Sequence, residues 1–202
     1  FGLKPTRGRN PLGPDQGDVM GGLVSEHALT RSVRDSATLL DATAGPDAGD
    51  PYWAPPPARP FRDEVGAAPG RLRIAFSVRA PTDVPVHPDC QKAVRDAAAL
   101  CAELGHHVDE AAASMDTVTF VRAFMTVYAA SATKNMATLE RHGLTPVREQ
   151  FEPITWALHE MGMQVNAGAY LLAVEDLQRT AREVARFFQT YDLWLTPVLA
   201  DP

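Results

Sequence analysis

Leu72-Arg73-Ile74-Ala75-Phe76 is the stretch that decides the fold. It is followed by the helix start His87-Pro88-Asp89 and by the short run His107-Val108. The first run is typical of a strand, and proline at a first helical position predicts a helix. That helix ends at Gly105 and has apolar residues at three- and four-residue spacing, namely Cys90, Val94, Ala97, Ala98, Cys101 and Leu104. Strand, helix and strand form a βαβ unit, so we expect an α/β sheet of parallel strands covered on both faces.

Upstream of this unit, one helix and two irregular segments are predicted. Ser32 and Asp35 have the spacing of a capping box, which predicts a helix over 32–44. Residues 10–24 are rich in glycine, proline and aspartate and indicate a loop. The proline-rich segment 47–70 predicts an extended surface connection within one domain, because proline disfavours both helix and central strand.

Downstream, the apolar spacing predicts three helices and a final strand. A long helix over 116–140 is capped by Asp116, a shorter one follows near 152–161, and another long one spans about 166–189. The run 191–197 indicates a buried strand that a proline ends.

Composition limits the class of protein. The chain has 202 residues, 45% of them hydrophobic, which suits one domain or part of one over 1–202. A net charge of -6 with no basic block gives no reason to expect nucleic acid or an anionic membrane as partner. Cys90 and Cys101 lie too far apart along one helix for a disulfide, and buried free thiols indicate a reducing, cytoplasmic setting.

Four stretches resemble one known family. Residues 1–9, Phe-Gly-Leu-Lys-Pro-Thr-Arg-Gly-Arg, are similar to the end of the signature stretch of the amidase signature family, and 26–37 are similar to the helix that follows it. Residues 69–75 and 191–197 fit its later strands. The resemblance runs over essentially the whole chain and is most specific in residues 1–45.

The resemblance implies an amidase signature fold, here partial: an α/β fold with a mixed, largely parallel sheet surrounded by helices. It also implies hydrolysis of carboxamides through an acyl-enzyme, without cofactor or metal. In this family a serine nucleophile is activated by a second serine and a lysine, and backbone amides form the oxyanion hole. None of these can be assigned to residues 1–202, so we expect them upstream of Phe1 and expect the 202-residue chain alone to be inactive.

A replacement centre has one candidate, the Ser-x-x-Lys of Ser131 and Lys134. Residues three apart share a helix face, as lysine-assisted serine acylation requires. The pattern is common by accident and the partner motifs Ser-Asp-Asn and Lys-Thr-Gly are absent, so an ordinary polar helix face is favoured.

The same helix has a second use in the resemblance, because the corresponding segment supplies the wall of the acyl pocket. Met125, Tyr128, Ser131 and Ala132 are then the expected substrate-binding residues, with Trp156 a weaker candidate. Methionine and tyrosine offer adaptable surface and small residues leave space. A Met and aromatic stripe at helical spacing is also typical of a core, and that alternative stays open.

Other polar residues indicate no site. The six histidines lack a metal-binding spacing, and His27 is expected to fix the approach to the Ser32 cap. The arginines Arg7, Arg9, Arg31 and Arg34 are expected to pair with nearby carboxylates.

The sequence thus predicts part of an amide hydrolase that acts on a small-molecule amide. A rival hypothesis is a non-catalytic binding or assembly module derived from an amidase, for instance a homodimer. The sequence leaves linear, cyclic, peptide and nitrile-derived amides open as substrates.

Overall fold

The structure, a computed structural model, describes residues 1–202 and divides into two compact units, Phe1–Ala68 and Pro69–Pro202. The expectation of one domain, or part of one, over 1–202 stays a prediction.

Unit 1 has two helices, α1 (Val33–Thr43) and the single turn α2 (Phe61–Glu64), and a 3-10 turn at Met20–Gly22. The Ser32 hydroxyl oxygen accepts a hydrogen bond from the Asp35 amide at 3.1 Å, which confirms the predicted cap of α1.

The predicted extended connection over 47–70 is wrong at α2. There the Asp41 carboxylate accepts hydrogen bonds from the amides of Phe61 and Arg62 at 2.6 and 2.9 Å. A side chain of α1 therefore satisfies two of the free amides at the start of α2.

The opening stretch of the chain is hydrogen-bonded to later segments of unit 1. The Thr30 amide donates to the Phe1 carbonyl at 3.0 Å, and the Ala54 amide donates to the Gly8 carbonyl at 2.8 Å. Gly8 has φ +70°, and a Cβ there would lie 3.0 Å from the Trp53 Cα. Glycine is therefore required at this position both by the backbone angle and by the close approach.

The arginines of this stretch bind backbone rather than carboxylates, contrary to prediction. Arg7 Nε donates to the Gly22 carbonyl and Arg9 Nη1 to the Pro55 carbonyl, each at 2.7 Å, and Arg31 and Arg34 make no ion pair. The guanidinium of Arg9 also lies 5.3 Å from the centre of the Phe61 ring. Carbonyl groups of loops need donors, and these arginines provide them.

The sheet of unit 2 has three parallel strands in the order β2-β1-β3: β1 (Arg73–Phe76), β2 (His107–Glu110) and β3 (Leu193–Leu195). Helix α3 (Pro88–Glu103) connects β1 to β2, so the predicted βαβ unit is confirmed. Ile74 and Ala75, which point to opposite faces of β1, are both buried. The mixed α/β fold class is thereby confirmed.

The last strand differs from its prediction. It is shorter than 191–197, and Leu193 is 49% exposed instead of buried. The reason is its place at the edge, where it pairs with β1 alone.

Three helices form the rest of unit 2: α4 (Thr117–Arg141), α5 (Pro153–Gly162) and α6 (Ala167–Phe187). Helix α4 packs against both α5 and α6. At the crossing with α5, a Cβ on Gly162 would collide with the Ala129 carbonyl and the Thr133 hydroxyl. The buried apolar residues of this unit are Ile74, Ala75, Val78, Val94, Ala98, Ala123, Val127, Ala129, Met136, Leu158 and Ala173.

Cys90 and Cys101 both lie on α3 and are free thiols, as predicted, but they are half-buried and not fully buried. None of the helices combines the length and the apolar character needed to cross a membrane.

Candidate functional site

The four predicted substrate-binding residues lie on one side of α4. At about 100° per residue, Met125, Tyr128, Ser131 and Ala132 fall within an arc of about 120°. Met125, Ser131 and Ala132 are half-buried, and Tyr128 is 43% exposed. The helix therefore brings them onto a common, partly accessible surface, which we call the α4 face.

Packing against α5 fixes the rotation of α4. Val127 and Ala129 are fully buried, and the Thr133 hydroxyl donates to the His159 carbonyl at 3.0 Å. None of these three buried or bonded positions belongs to the α4 face. The predicted residues thus lie beside the helix–helix contact, where their side chains keep some access to solvent.

An aromatic ladder extends the α4 face toward the start of the helix. The ring centres of Phe120 and Phe124 are 6.1 Å apart, and those of Phe124 and Tyr128 are 5.6 Å apart, with both pairs stacked. Sequence reasoning missed Phe120 and Phe124 as site candidates. The signal was present, because aromatic residues four apart lie above one another on a helix.

Trp156 belongs to a second aromatic cluster, formed by α5 and the residues just before it. Its ring centre lies 6.0 Å from that of Phe151 and 5.3 Å from that of His159, and its Nε1 donates to the Glu160 carboxylate at 2.9 Å. The Nδ1 atom of His159 is buried without a hydrogen-bond partner. Trp156 as a substrate contact stays a prediction.

The Ser-x-x-Lys pair on α4 does not form a catalytic contact. No hydrogen bond joins Ser131 to Lys134, and the Lys134 side chain is exposed. A serine nucleophile needs its base within about 3 Å. The arrangement matches the polar helix face that the sequence favoured.

A cleft of about 490 Å³ lies at the start of α4 and the end of α6, away from the α4 face. Its lining residues are Ser114, Met115, Asp116, Glu183, Arg186 and Phe187. Sequence reasoning identified Asp116 only as a helix cap and missed the other five. No local motif could have found them, since the two segments meet only in the folded chain.

Hydrogen bonding controls the charge of Asp116. Its carboxylate accepts from the Thr119 amide at 3.1 Å and from the Thr119 hydroxyl at 2.7 Å. These donors, the backbone amide foremost, hold the pKa of Asp116 below its usual value. These hydrogen bonds stabilise the charged form of the carboxylate.

The histidines serve structural contacts. The Nε2 of His27 lies 2.9 Å from the hydroxyl of Ser36, a buried residue of α1, so His27 ties the segment that leads to the Ser32 cap to the helix. His87 Nδ1 accepts from the Asp89 amide at the start of α3, and His106 Nδ1 accepts from the Leu72 amide, each at 3.2 Å. No group of three or more His, Cys, Asp or Glu side chains is arranged to hold a metal ion.

One charged pair joins two strands of the sheet. Asp192 Oδ2 accepts a hydrogen bond from the Arg73 amide at 2.8 Å, and Asp192 Oδ1 accepts one from Arg73 Nη2, also at 2.8 Å. These hydrogen bonds lower the pKa of Asp192 to about 2, and the one from the guanidinium has the larger effect. This pair ties the start of β3 to β1.

The sequence matches a known protein family and several curated relatives. The Amidase family matches residues 1–202. A putative amidase of Synechocystis sp. is 33% identical over 197 residues, covering 98% of this chain and 36% of the relative. The 6-aminohexanoate-cyclic-dimer hydrolase of a Pseudomonas species is 33% identical over 207 residues, covering 98% of this chain and 41% of the relative.

Solved structures show the same fold. The structure of 6-aminohexanoate cyclic dimer hydrolase has a TM-score of 0.83 and 30% identity, covering 93% of this chain and 40% of that one. A bacterial aryl acylamidase has a TM-score of 0.79 at 21% identity, covering 98% of this chain and 41% of that one, a likeness of fold alone. The chain spans about two fifths of the length of the curated relatives that it matches.

Proposed function

The chain belongs to the amidase family, and from that premise we propose that it is part of an amide hydrolase converting a carboxamide to a carboxylate through an acyl-serine. In this proposal residues 1–202 supply sheet strands and the acyl-pocket helix. The serine nucleophile, the second serine and the lysine are contributed from outside these residues. Within them, the one Ser-x-x-Lys pair makes no hydrogen bond that could activate a serine.

The observation that supports the pocket assignment is the α4 face. Its four residues share one side of a helix whose rotation is fixed by the buried Val127 and Ala129. The face contains no charged side chain, and it combines an aromatic ring, a thioether and two small residues. Such a surface suits an uncharged acyl chain better than an ionic one.

The substrate class we propose is a small uncharged amide, linear or cyclic. The Pseudomonas relative is named for a cyclic dimer, and the solved structure at 30% identity has the same name. Tyr128 and the stacked Phe124 would contact the apolar part of such a molecule. A reducing, cytoplasmic setting belongs to the same proposal, because Cys90 and Cys101 are free thiols.

The division of roles is tested on the 202-residue chain itself. A serine-reactive fluorophosphonate probe should leave it unlabelled, and it should not hydrolyse simple aryl or alkyl amides. A known serine hydrolase in the same assay controls for probe quality. Labelling of any serine of the chain, located by peptide mass spectrometry, would contradict the proposal.

The pocket assignment is tested in the active protein that contains these residues. Ala132→Leu adds volume on the α4 face, so we expect KM for the preferred amide to rise by about tenfold, a loss of about 1.4 kcal/mol in binding. Ala137→Leu, an exposed alanine on the other side of the same helix, is the matched control and should leave KM within about twofold. Equal effects of both substitutions would remove the α4 face from the pocket.

A further inference from the structure

The cleft at the start of α4 is open to solvent, and it is large enough to hold a small molecule. Its volume of about 490 Å³ falls in the range of about 300–1,000 Å³ in which small ligands bind. Asp116 precedes Met125, the nearest residue of the α4 face, by nine residues, which is about 14 Å along the helix axis. A ligand in the cleft would therefore not occupy the α4 face.

The cleft presents charges of both signs, and two of them have no partner in the protein. Glu183 and Arg186 lie three residues apart on α6, yet neither takes part in an ion pair or a side-chain hydrogen bond. Asp176 on the same helix, in contrast, pairs with Arg179 at 3.2 Å and with Arg122 at 3.9 Å. Glu183 is half-buried and Arg186 is exposed, so both charged groups are accessible to a ligand in the cleft.

The third charge has a different role. Both carboxylate oxygens of Asp116 already accept hydrogen bonds from Thr119. This group therefore adds negative charge to the cleft but is less available to accept a hydrogen bond from a ligand. Half-buried Glu183 is then the carboxylate available to a cationic group, and Arg186 is the donor available to an anionic one.

Apolar surface completes the lining. Phe187 is held in place by rings on two sides, with its centre 4.8 Å from that of Tyr191 and 5.4 Å from that of Trp194. Met115 contributes an adaptable side chain to the same cleft. A fixed ring and a thioether suit a short hydrocarbon segment between two charged groups.

We infer that this cleft binds a small zwitterionic amino acid, with its carboxylate on Arg186, its ammonium on Glu183 and its hydrocarbon part against Phe187. The guanidinium can bind a carboxylate through two parallel hydrogen bonds, which gives the site an orientation. This site goes beyond the proposed amide hydrolysis and does not depend on it, since no bond is made or broken in the cleft.

Isothermal titration of the full 202-residue chain tests the inference. The probes are glycine, gamma-aminobutyrate and epsilon-aminocaproate, which differ in the separation of their two charges. The single-charge analogues are caproate, which lacks the ammonium, and hexylamine, which lacks the carboxylate. We expect saturable binding of at least one zwitterion and at least about tenfold weaker binding of both analogues, since each lacks one charge-assisted hydrogen bond.

Variants locate the binding. Arg186→Gln and Glu183→Gln should each raise the Kd of the bound zwitterion by about tenfold or more, whereas Arg186→Lys, which keeps the charge, should raise it less. The matched controls are Arg182→Gln and Glu175→Gln on the exposed surface of the same helix, outside the cleft, and they should stay within about twofold. Circular dichroism of each variant monitors its fold, and Arg186→Lys decides the case if Arg186→Gln is unfolded.

Three results would overturn the inference. One is the absence of saturable binding for every zwitterion. Another is binding of caproate or hexylamine as tight as that of the zwitterions. The third is an equal loss of affinity in the cleft variants and in their controls.

Discussion

Each of the two compact units of this chain is stabilised internally by a different kind of interaction. In residues 1–68 only Pro5 and Leu40 are buried apolar side chains. The segments are joined by hydrogen bonds between side chains and backbone, in which Arg7 and Arg9 donate and Asp41 accepts. In residues 69–202 aliphatic side chains are buried where α4 packs against α5 and α6 and where α3 packs against the sheet. Unit 1 should therefore be sensitive to the loss of single donors, and unit 2 to changes of volume.

The largest effect should follow from Gly162→Ala in unit 2. The added Cβ would collide with the carbonyl of Ala129 on α4, and backbone cannot move aside as a side chain can. We expect a loss of about 3 kcal/mol in the free energy of unfolding of unit 2, the upper end of the usual cost of overpacking. Hydrogen exchange read by mass spectrometry measures this for peptides of α4 and α5.

The control for that prediction is Gly168→Ala, also a helical glycine, where the nearest atom to a new Cβ is Asn166 Oδ1 at 3.3 Å. Alanine is the better helix former, so its effect should stay within about 1 kcal/mol. If Gly162→Ala and Gly168→Ala had equally small effects, that result would contradict the close contact between α5 and α4 at Gly162.

A cavity in the core of unit 2 should come next. Val127 is fully buried, and Val127→Ala removes two methyl groups from the centre of α4, at a cost of about 2 kcal/mol. Val118→Ala on the same helix, where the side chain is 78% exposed, should cost no more than about 0.5 kcal/mol. Exchange protection of α6 should fall only in the first variant, and equal protection in both would refute a packing role for Val127.

Unit 1 should lose stability through a hydrogen bond instead. Arg9→Gln removes the bond to the Pro55 carbonyl and the contact with the Phe61 ring, for an expected cost of about 1–2 kcal/mol confined to residues 1–68. Arg34→Gln, an exposed arginine of α1 without an ion pair, is the control. Exchange in peptides around Gly8 and Ala54 reports the change, and an effect as large in unit 2 would show that the units do not respond separately.

The smallest effect concerns acid. The pKa of Asp192 is about 2 in the folded chain and about 4 in an unfolded one, so the folded state binds this proton less readily. The stabilisation by Asp192 is therefore fully present above about pH 4 and is lost as the pH falls toward 2. Asp192→Asn should flatten the acid dependence of protection in β1 and β3 within that window. An unchanged acid profile would show that the pair with Arg73 is too exposed to matter.

Local signals in the sequence were enough for the elements of unit 2 and for α1, but not for α2. The caps at Ser32, Asp116 and Asn166 fix where three helices begin, and each is a contact within one turn of chain. Helix α2 was missed because its amides are bound by Asp41, twenty residues upstream, and no local pattern encodes that contact. The same holds for Arg7 and Arg9, whose nearby carboxylates suggested ion pairs while distant carbonyls are their partners.

The sequence by itself determined the βαβ order, the helix faces and the family, because periodicity and short motifs depend on neighbours within a few residues. Only the tertiary structure decided which face of α4 stays accessible, and that Asp116 and Arg186 line a common cleft. The physical reason is that burial and the meeting of distant charges depend on how helices pack. Packing is set by the combined volumes of many side chains and not by any one stretch.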